Sequence, residues 1–238
     1  MDQSNDQITK KKICKLLPNI KYYKVSNKNI GFAGGINFLI KKIKTRFFLC
    51  TQIDVLIKKK SIIEMSKAFV KKKDCIISVP IFKKLKKKKS SKKILKINNF
   101  IGAIFLAEKN KFNKLGNFDE DFFFYWEDQD LSKRIEISKK FNIYQCERSF
   151  AKHMNGNSTK VSNRSKYIRF SNFKFGEYLF QQKYQKLKFI KIIRDPIVRI
   201  LLVIILFIKF KKNLAFQNLY YLLGIFKFYK YKICKKFN

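Results

Sequence analysis

Carboxylates are scarce in this chain: 238 residues carry 16 Asp and Glu against 55 Lys and Arg, a formal charge of +39. Such a surplus draws in any polyanion, whether nucleic acid, anionic lipid or a nucleotide diphosphate. Arginine, the better reader of bases, is thin among the cations, and lysine comes in runs at 58–60, 71–73 and 86–89. That pattern describes a solvated surface rather than a base-reading groove, so no specific nucleic-acid partner is expected. Glycine (8) and proline (3) are few while Ile, Asn, Phe and Tyr abound, a composition that AT-rich codons also produce. The five cysteines (Cys14, Cys50, Cys75, Cys146, Cys234) are odd in number and widely spaced, with no CxxC pair. A disulfide framework and a zinc site are thereby excluded, and a reduced cytoplasmic setting is expected. The N-terminal stretch lacks the apolar centre of a signal peptide. Neither a P-loop nor the GxGxxG dinucleotide fingerprint occurs.

Against that scarcity, six of the sixteen acids (Asp119, Glu120, Asp121, Glu127, Asp128, Asp130) fall within residues 119–130. They enclose Phe122, Phe123, Phe124, Tyr125 and the single tryptophan, Trp126. Carboxylates beside a wall of aromatics lose hydration, which raises their pKa toward the range useful for proton transfer. A general base is expected there.

Alternating apolar runs and helical periodicity predict strands at 20–25, 46–51, 75–79, 100–107 and 143–146, with helices at 34–44, 58–71 and 128–139. Pro80 is expected to end the third strand and a lysine-rich loop to fill 81–93. This alternation implies an α/β fold with a mostly parallel sheet flanked by helices, ending near Ser158. Residues 159–238 read as a second, basic and apolar helical region: a helix at 167–185, an apolar stretch at 196–210 and an amphipathic one at 214–228. The longest uninterrupted apolar run, 200–208, is bracketed by Arg199 and Lys209 and falls short of the ~20 residues that span a bilayer. Association with an anionic membrane surface, packing on the first domain and a true span are the three readings of this C-terminal segment, the first preferred because lysines alternate with aromatics at its end.

Three further features carry chemistry. The segment NKNIGFAGGIN (27–37) places Gly31, Gly34 and Gly35 between a strand and a helix, where glycines allow close approach of a phosphate or a sugar, or simply a tight packing turn. Asp54, in TQIDV after an apolar strand, lies where α/β sheets bind ligands and suits a divalent cation; a helix cap is the plainer reading. The single histidine, His153, follows the last strand and reads as structural or as a second metal contact.

Taken together and in order, these segments resemble a family 2 glycosyltransferase with the GT-A fold, of the rhamnosyltransferase-like bacterial type that builds surface polysaccharides. The resemblance covers residues 2–158 and rests on DQSND (2–6), NIGFAGGIN (29–37), QID (52–54), the strand with Gly102 and Ala103, GNFDEDFFFYWEDQDLSKR (116–134) and 153–158. It implies an inverting transfer from a nucleoside-diphosphate-sugar donor to a hydroxyl of a glycan or lipid-linked acceptor, on the inner face of the cell membrane. Asp128 would be the base and Glu127 its support or an acceptor contact. Asp54 and His153 would hold Mg2+ or Mn2+ against the diphosphate. Asp2, Asp6, Gly31, Gly34, Gly35, Asn37, Gln52 and Gly102 would line the donor site, and residues 122–126 would floor the sugar. The neutral Gln52 departs from the family's DxD-like motif, leaving Asp54 as its one anionic ligand. The family also has a strand-helix unit ahead of DQSND, which supports an alternative reading as a truncated, noncatalytic remnant that binds membrane or a partner.

Overall fold

A computed structural model describes residues 7–16, 18–19, 29–82, 94–154, 162–185 and 187–236. Asp2, Asp6, the expected strand at 20–25 and most of the expected loop at 81–93 lie outside them. Helix α1 (Gln7–Leu16) is followed by α2 (Gly31–Lys42), β1 (Phe47–Thr51), β2 (Val55–Ile57), α3 (Lys59–Lys71), β3 (Cys75–Phe82), β4 (Ile94–Ile97), β5 (Ile104–Glu108), α4 (Lys109–Lys114), α5 (Glu127–Ser138) and β6 (Asn142–His153). Three long helices close the chain: α6 (Asn163–Tyr184), α7 (Phe189–Ile208) and α8 (Lys212–Lys236).

The expected α/β sheet flanked by helices is present, in the order β1-β5-β3-β6-β2 with β4 also on β6. Its pairing is mixed rather than mostly parallel. Among the described strands only β3 and β6 pair in parallel, while β5 lies antiparallel between β1 and β3. Because β5 reverses direction twice over, β1, β3 and β6 still run the same way, which is what the alternation of strands and helices reflects. Strand β3 continues through Pro80 to Phe82, and its register against β6 shifts between Pro80 and Ile81. Proline cannot donate to a ladder, and a register irregularity is where a sheet tolerates it. Strand β6 is long enough to serve two partners on one side, β4 along 143–146 and β2 along 151–153. The short strand β2 was unforeseen: three residues carry too little periodicity to register.

The main core joins Ile76, Ile77, Phe105, Phe112, Phe118, Leu131 and Ile143 from the sheet and its covering segments. Most of its aromatic pairs meet edge-on, as between Phe112 and Phe118 at 5.3 Å, while Phe105 and Phe112 stack in parallel at 6.1 Å; offset-stacked and edge-on pairs are the arrangements their quadrupoles favour. A smaller cluster of Ala68, Cys75, Tyr144 and Cys146 seats α3. In α5, three acids in the first turn complement the positive end of the helix dipole, and Lys139 ends it in a left-handed conformation at φ 53°.

Helices α6 and α8 do not stand apart from the acidic segment. Phe122, from its centre, is fully buried with Phe175, Tyr178, Leu179, Ile225 and Phe228 of these helices. Burial of each such side chain contributes about 1.5–3 kcal/mol. Core packing therefore accounts for α6 and α8. Helix α7 differs, since none of its residues is buried. No helix among the described residues is long and apolar enough to cross a membrane.

Candidate active site

The C-terminal ends of β1 and β6 form one rim of the sheet, with the start of β5 beside them. Thr51 of β1 pairs with Ile104 of β5, and the Gln52 amide donates to the Ala103 carbonyl at 2.9 Å. The chain then turns through Asp54 into β2, where Val55 faces His153 across the ladder. The Met154 amide donates to the Asp54 carbonyl at 2.9 Å. This local pairing brings the side chains together, Asp54 Oδ2 lying 3.2 Å from His153 Nε2. Asp54 is thus no helix cap. It belongs to a β-turn whose shape is dictated by strand pairing on both sides.

The second half of the site comes from the N-terminus of α5. The Gly102 amide donates to Asp128 Oδ2 at 3.0 Å and the Gln129 amide to Asp128 Oδ1 at 2.8 Å. These bonds orient the carboxylate and favour its charged form, while burial pushes its pKa up. Glu127 is 7 % exposed. Burial, and then the charge of Asp128, push its carboxyl up to about 8, and its Oε2 is buried with no hydrogen-bond partner among the described residues. The two adjacent acids differ in their partners: Asp128 holds two amide donors, whereas burial and the neighbouring Asp128 favour the neutral form of Glu127. Immediately before them Tyr125 and Trp126 both adopt positive φ, 72° and 75°, a strained conformation costing of order 1–3 kcal/mol each. Trp126 is held there by α6, where Phe173 and Phe180 pack on its ring at 5.7 and 5.3 Å.

Asp54, His153, Glu127 and Asp128 line a single cavity of about 320 Å³, together with Gln52 and Gly102. Six residues singled out in the sequence thus converge. Phe124 and Tyr125 also line it, but the rest of the aromatic run does not serve as its floor. Phe122 is consumed by the core under α6 and α8, and Trp126 is wedged beneath α6. Missed in the sequence was Arg169 of α6, which lines the same cavity; its only sequence signal is an arginine in a lysine-dominated chain.

The glycine segment is placed differently from the expectation. Gly31, Gly34, Gly35 and Asn37 are buried in α2 and are not among the residues lining the cavity. A Cβ on Gly31, at φ +78°, would lie 2.2 Å from the Phe123 carbonyl oxygen, and that same oxygen accepts from the Phe32 amide at 2.8 Å. Asn37 brackets Phe118, accepting from its amide at 3.1 Å and donating to its carbonyl at 2.8 Å. The close backbone approach that glycine permits is made by the acidic segment itself.

Among the described residues no group of three or more His, Cys, Asp or Glu side chains converges on one point. One carboxylate and one imidazole nevertheless fit a divalent cation that is shared with a phosphate-bearing ligand, since Mg2+ typically takes only one or two protein carboxylates and completes its shell with phosphate oxygens and water.

No family model matches the sequence, and no curated protein matches it. Solved structures do match the fold. A structure of GalNAc-T7 with UDP, GalNAc and Mn2+ superposes with a TM-score of 0.54 at 13% identity, over 74% of this chain and 39% of the other. The mannosyltransferase PcManGT from Pyrobaculum calidifontis, in complex with GDP-Man and Mn2+, gives a TM-score of 0.54 at 9% identity, over 95% of this chain and 76% of the other. The fold is GT-A. The chain spans 39% of the length of the first of these GT-A proteins and about three quarters of the second. At such low identities the likeness reaches the GT-A architecture and not the chemistry, which rests on the cavity.

Proposed function

We propose that this chain is an inverting glycosyltransferase of the rhamnosyltransferase-like type, moving a sugar from a nucleoside-diphosphate-sugar to a hydroxyl of a glycan or lipid-linked acceptor in surface polysaccharide synthesis. The observation that carries the reading is the joining of the Glu127–Asp128 pair and the Asp54–His153 pair in one cavity. The two GT-A structures hold UDP or GDP-Man with Mn2+, and the donor class is taken from that likeness.

In this mechanism the acceptor hydroxyl hydrogen-bonds to Asp128. As its oxygen attacks the anomeric carbon, the proton passes to the Asp128 carboxylate. The bond from that carbon to the diphosphate oxygen breaks and its electron pair leaves with the diphosphate, so attack from the opposite face inverts the centre. Glu127, protonated at neutral pH, donates a hydrogen bond to the acceptor or the sugar rather than competing for the proton. Asp54 and His153 would hold Mg2+ or Mn2+, which when bound supplies positive charge beside the leaving diphosphate. Phe124 and Tyr125 flank the sugar and exclude water.

The division near residue 158 is then one of supply, the first part giving the acids and residues 159–238 holding them and meeting the membrane. Helix α7 supports a peripheral attachment. Ile190, Ile193, Ile197, Leu201, Ile204 and Ile208 repeat at helical spacing and are all exposed, and Lys188, Arg194, Lys209, Lys211 and Lys212 sit near the two ends of the helix. An apolar stripe with cationic ends suits the headgroup region of an anionic leaflet. The reading is tested by incubating the chain with UDP-, GDP- and dTDP-sugars and Mn2+ in the presence of a lipid-linked acceptor pool. Release of nucleoside diphosphate with transfer of label to acceptor is expected, and absence of nucleoside diphosphate binding to the wild-type chain would sink it.

A further inference from the structure

Arg169 occupies a place that neither the motifs nor the Asp54–His153 pair explains. It lies on α6, and Arg169, Phe173, Gly176 and Phe180 follow one another at intervals of four, three and four residues, the spacing of a single helical stripe. That stripe is the face α6 lays on the acidic aromatic segment. Phe173 packs on Tyr125 at 5.8 Å and on Trp126 at 5.7 Å, and Phe180 packs on Trp126 at 5.3 Å. Gly176 passes so close that a Cβ would lie 2.8 Å from Trp126 Cδ1. Helix α6 is therefore pinned in rotation and height, and the stripe ends with Arg169 at the cavity.

The charges around it are unbalanced in a telling way. Arg169 makes no ion pair or hydrogen bond with another described side chain, although Lys183 of the same helix and Lys191 and Lys235 of the two helices after it each pair with a carboxylate at 2.5–2.8 Å. In a chain with more than three cations to each acid, a half-buried guanidinium without an ion-pair partner among the described residues, facing the cavity that holds Asp54 and His153, fits an anion brought by a ligand. A planar, always-charged fork is the side chain suited to phosphate oxygens. Gln52 lines the same cavity and offers no charge with which to recruit a second cation.

We propose that Arg169 binds the diphosphate of the donor directly, supplying on the protein side the positive charge that the neutral Gln52 does not help a metal to supply. This inference rests on the glycosyltransferase reading and names one ligand of its donor. Arg169 contacts the phosphate oxygens from α6, so the donor site is complete only when α6 is docked on Tyr125 and Trp126. Because the guanidinium has no ion-pair or hydrogen-bond partner among the described residues, its removal is expected to leave the fold largely intact.

The test titrates UDP, GDP and dTDP, and the matching monophosphates, into the full chain with Mn2+ and again with chelator. For whichever diphosphate the wild type binds, Arg169→Ala is expected to weaken binding by about tenfold or more, the scale of a charge-assisted hydrogen bond. Arg169→Lys restores part of the loss, the monophosphate is affected less, and the melting temperature stays within about 2 °C of wild type. Binding that persists in chelator should disappear in Arg169→Ala. Diphosphate binding within twofold of wild type in Arg169→Ala overturns the assignment while leaving the glycosyltransferase reading intact. An equal loss for monophosphate and diphosphate, or a loss that tracks a fall in melting temperature, also overturns it. A wild type that binds none of the three diphosphates overturns both.

Discussion

Lys183 Nζ lies 2.5 Å from Asp130 Oδ1, so a lysine of α6 neutralises a fully buried carboxylate on the helix that presents Glu127 and Asp128. The same ammonium reaches Asp119 at 2.7 Å. Asp130 is further held by Arg134 at 2.8 Å and by the Tyr184 hydroxyl at 2.8 Å. Half of the scarce acids of the 119–130 segment are thus spent on docking α6 and α8, with Asp121 taken by Lys235 and Tyr231 at 2.6 Å.

Lys183→Met removes one of three partners of a buried charge and should lower stability by about 2 kcal/mol, read as a shift of the urea midpoint at unchanged slope. Asp130→Ala takes one carboxylate from both Lys183 and Arg134 but leaves Lys183 on Asp119 and Arg134 on the Leu115 and Asn117 carbonyls, and should cost a similar amount, about 2–3 kcal/mol.

Asp128→Asn keeps the size of the side chain and an acceptor for the Gly102 amide, but cannot take a proton. Turnover should fall by at least about a hundredfold, with nucleoside diphosphate affinity within about threefold of wild type. Near-normal turnover would remove Asp128 from the role of base.

The Glu127 carboxyl titrates near 8 in the folded chain against an ordinary value of 4.5. Between those values the unfolded chain has lost the proton that the folded chain keeps, so this group's contribution is full below about pH 4.5 and is lost as pH rises through 8. Glu127→Gln cannot titrate. Its unfolding free energy relative to wild type, read from urea midpoints at each pH, should therefore climb between pH 5 and pH 8, by an amount on the order of a few kcal/mol at the upper end. A pH-independent difference would show that the carboxyl is not held protonated.

Two glycines of the resemblance separate cleanly. Gly31→Ala forces a side chain onto a positive φ and into the Phe123 carbonyl, and should cost about 3 kcal/mol or prevent folding. At Gly102 a Cβ would meet Asp128 and Phe32 at 3.5 Å or more, ordinary contact, so Gly102→Ala should cost under about 1 kcal/mol. Thermal denaturation of the two variants side by side decides it.

Ile197 and Leu201 are 51% and 53% exposed on α7. The double change Ile197→Glu, Leu201→Glu should release the chain from vesicles containing anionic lipid while leaving the melting temperature near wild type. Deleting residues 196–238 is a poorer experiment, because it removes Ile225 and Phe228 from the core around Phe122. Unchanged vesicle binding in the double variant would count against α7 as the attachment.

What the sequence determined by itself was local. Apolar periodicity located α3, β1 and α5 nearly to the residue and the start of β3, and the crowding of acids among aromatics located the 119–130 segment, because each of these signals is written within about a dozen consecutive positions. Fold class followed from the alternation of elements, though strand direction did not: the antiparallel insertion of β5 between β1 and β3 leaves no trace in either strand's pattern. Only the tertiary structure decided which acids face the cavity and which are bound by lysines, since Asp119, Asp121 and Asp130 look no different in sequence from Asp128 and are distinguished by α6 and α8 folding back over them. The same return of the chain turned Phe122 and Trp126 from a sugar floor into packing, set the glycines of α2 against Phe123, and brought Arg169 to a site otherwise built from the first 153 residues. Burial and charge pairing depend on contacts between distant segments, and that is why they were invisible until the chain was folded.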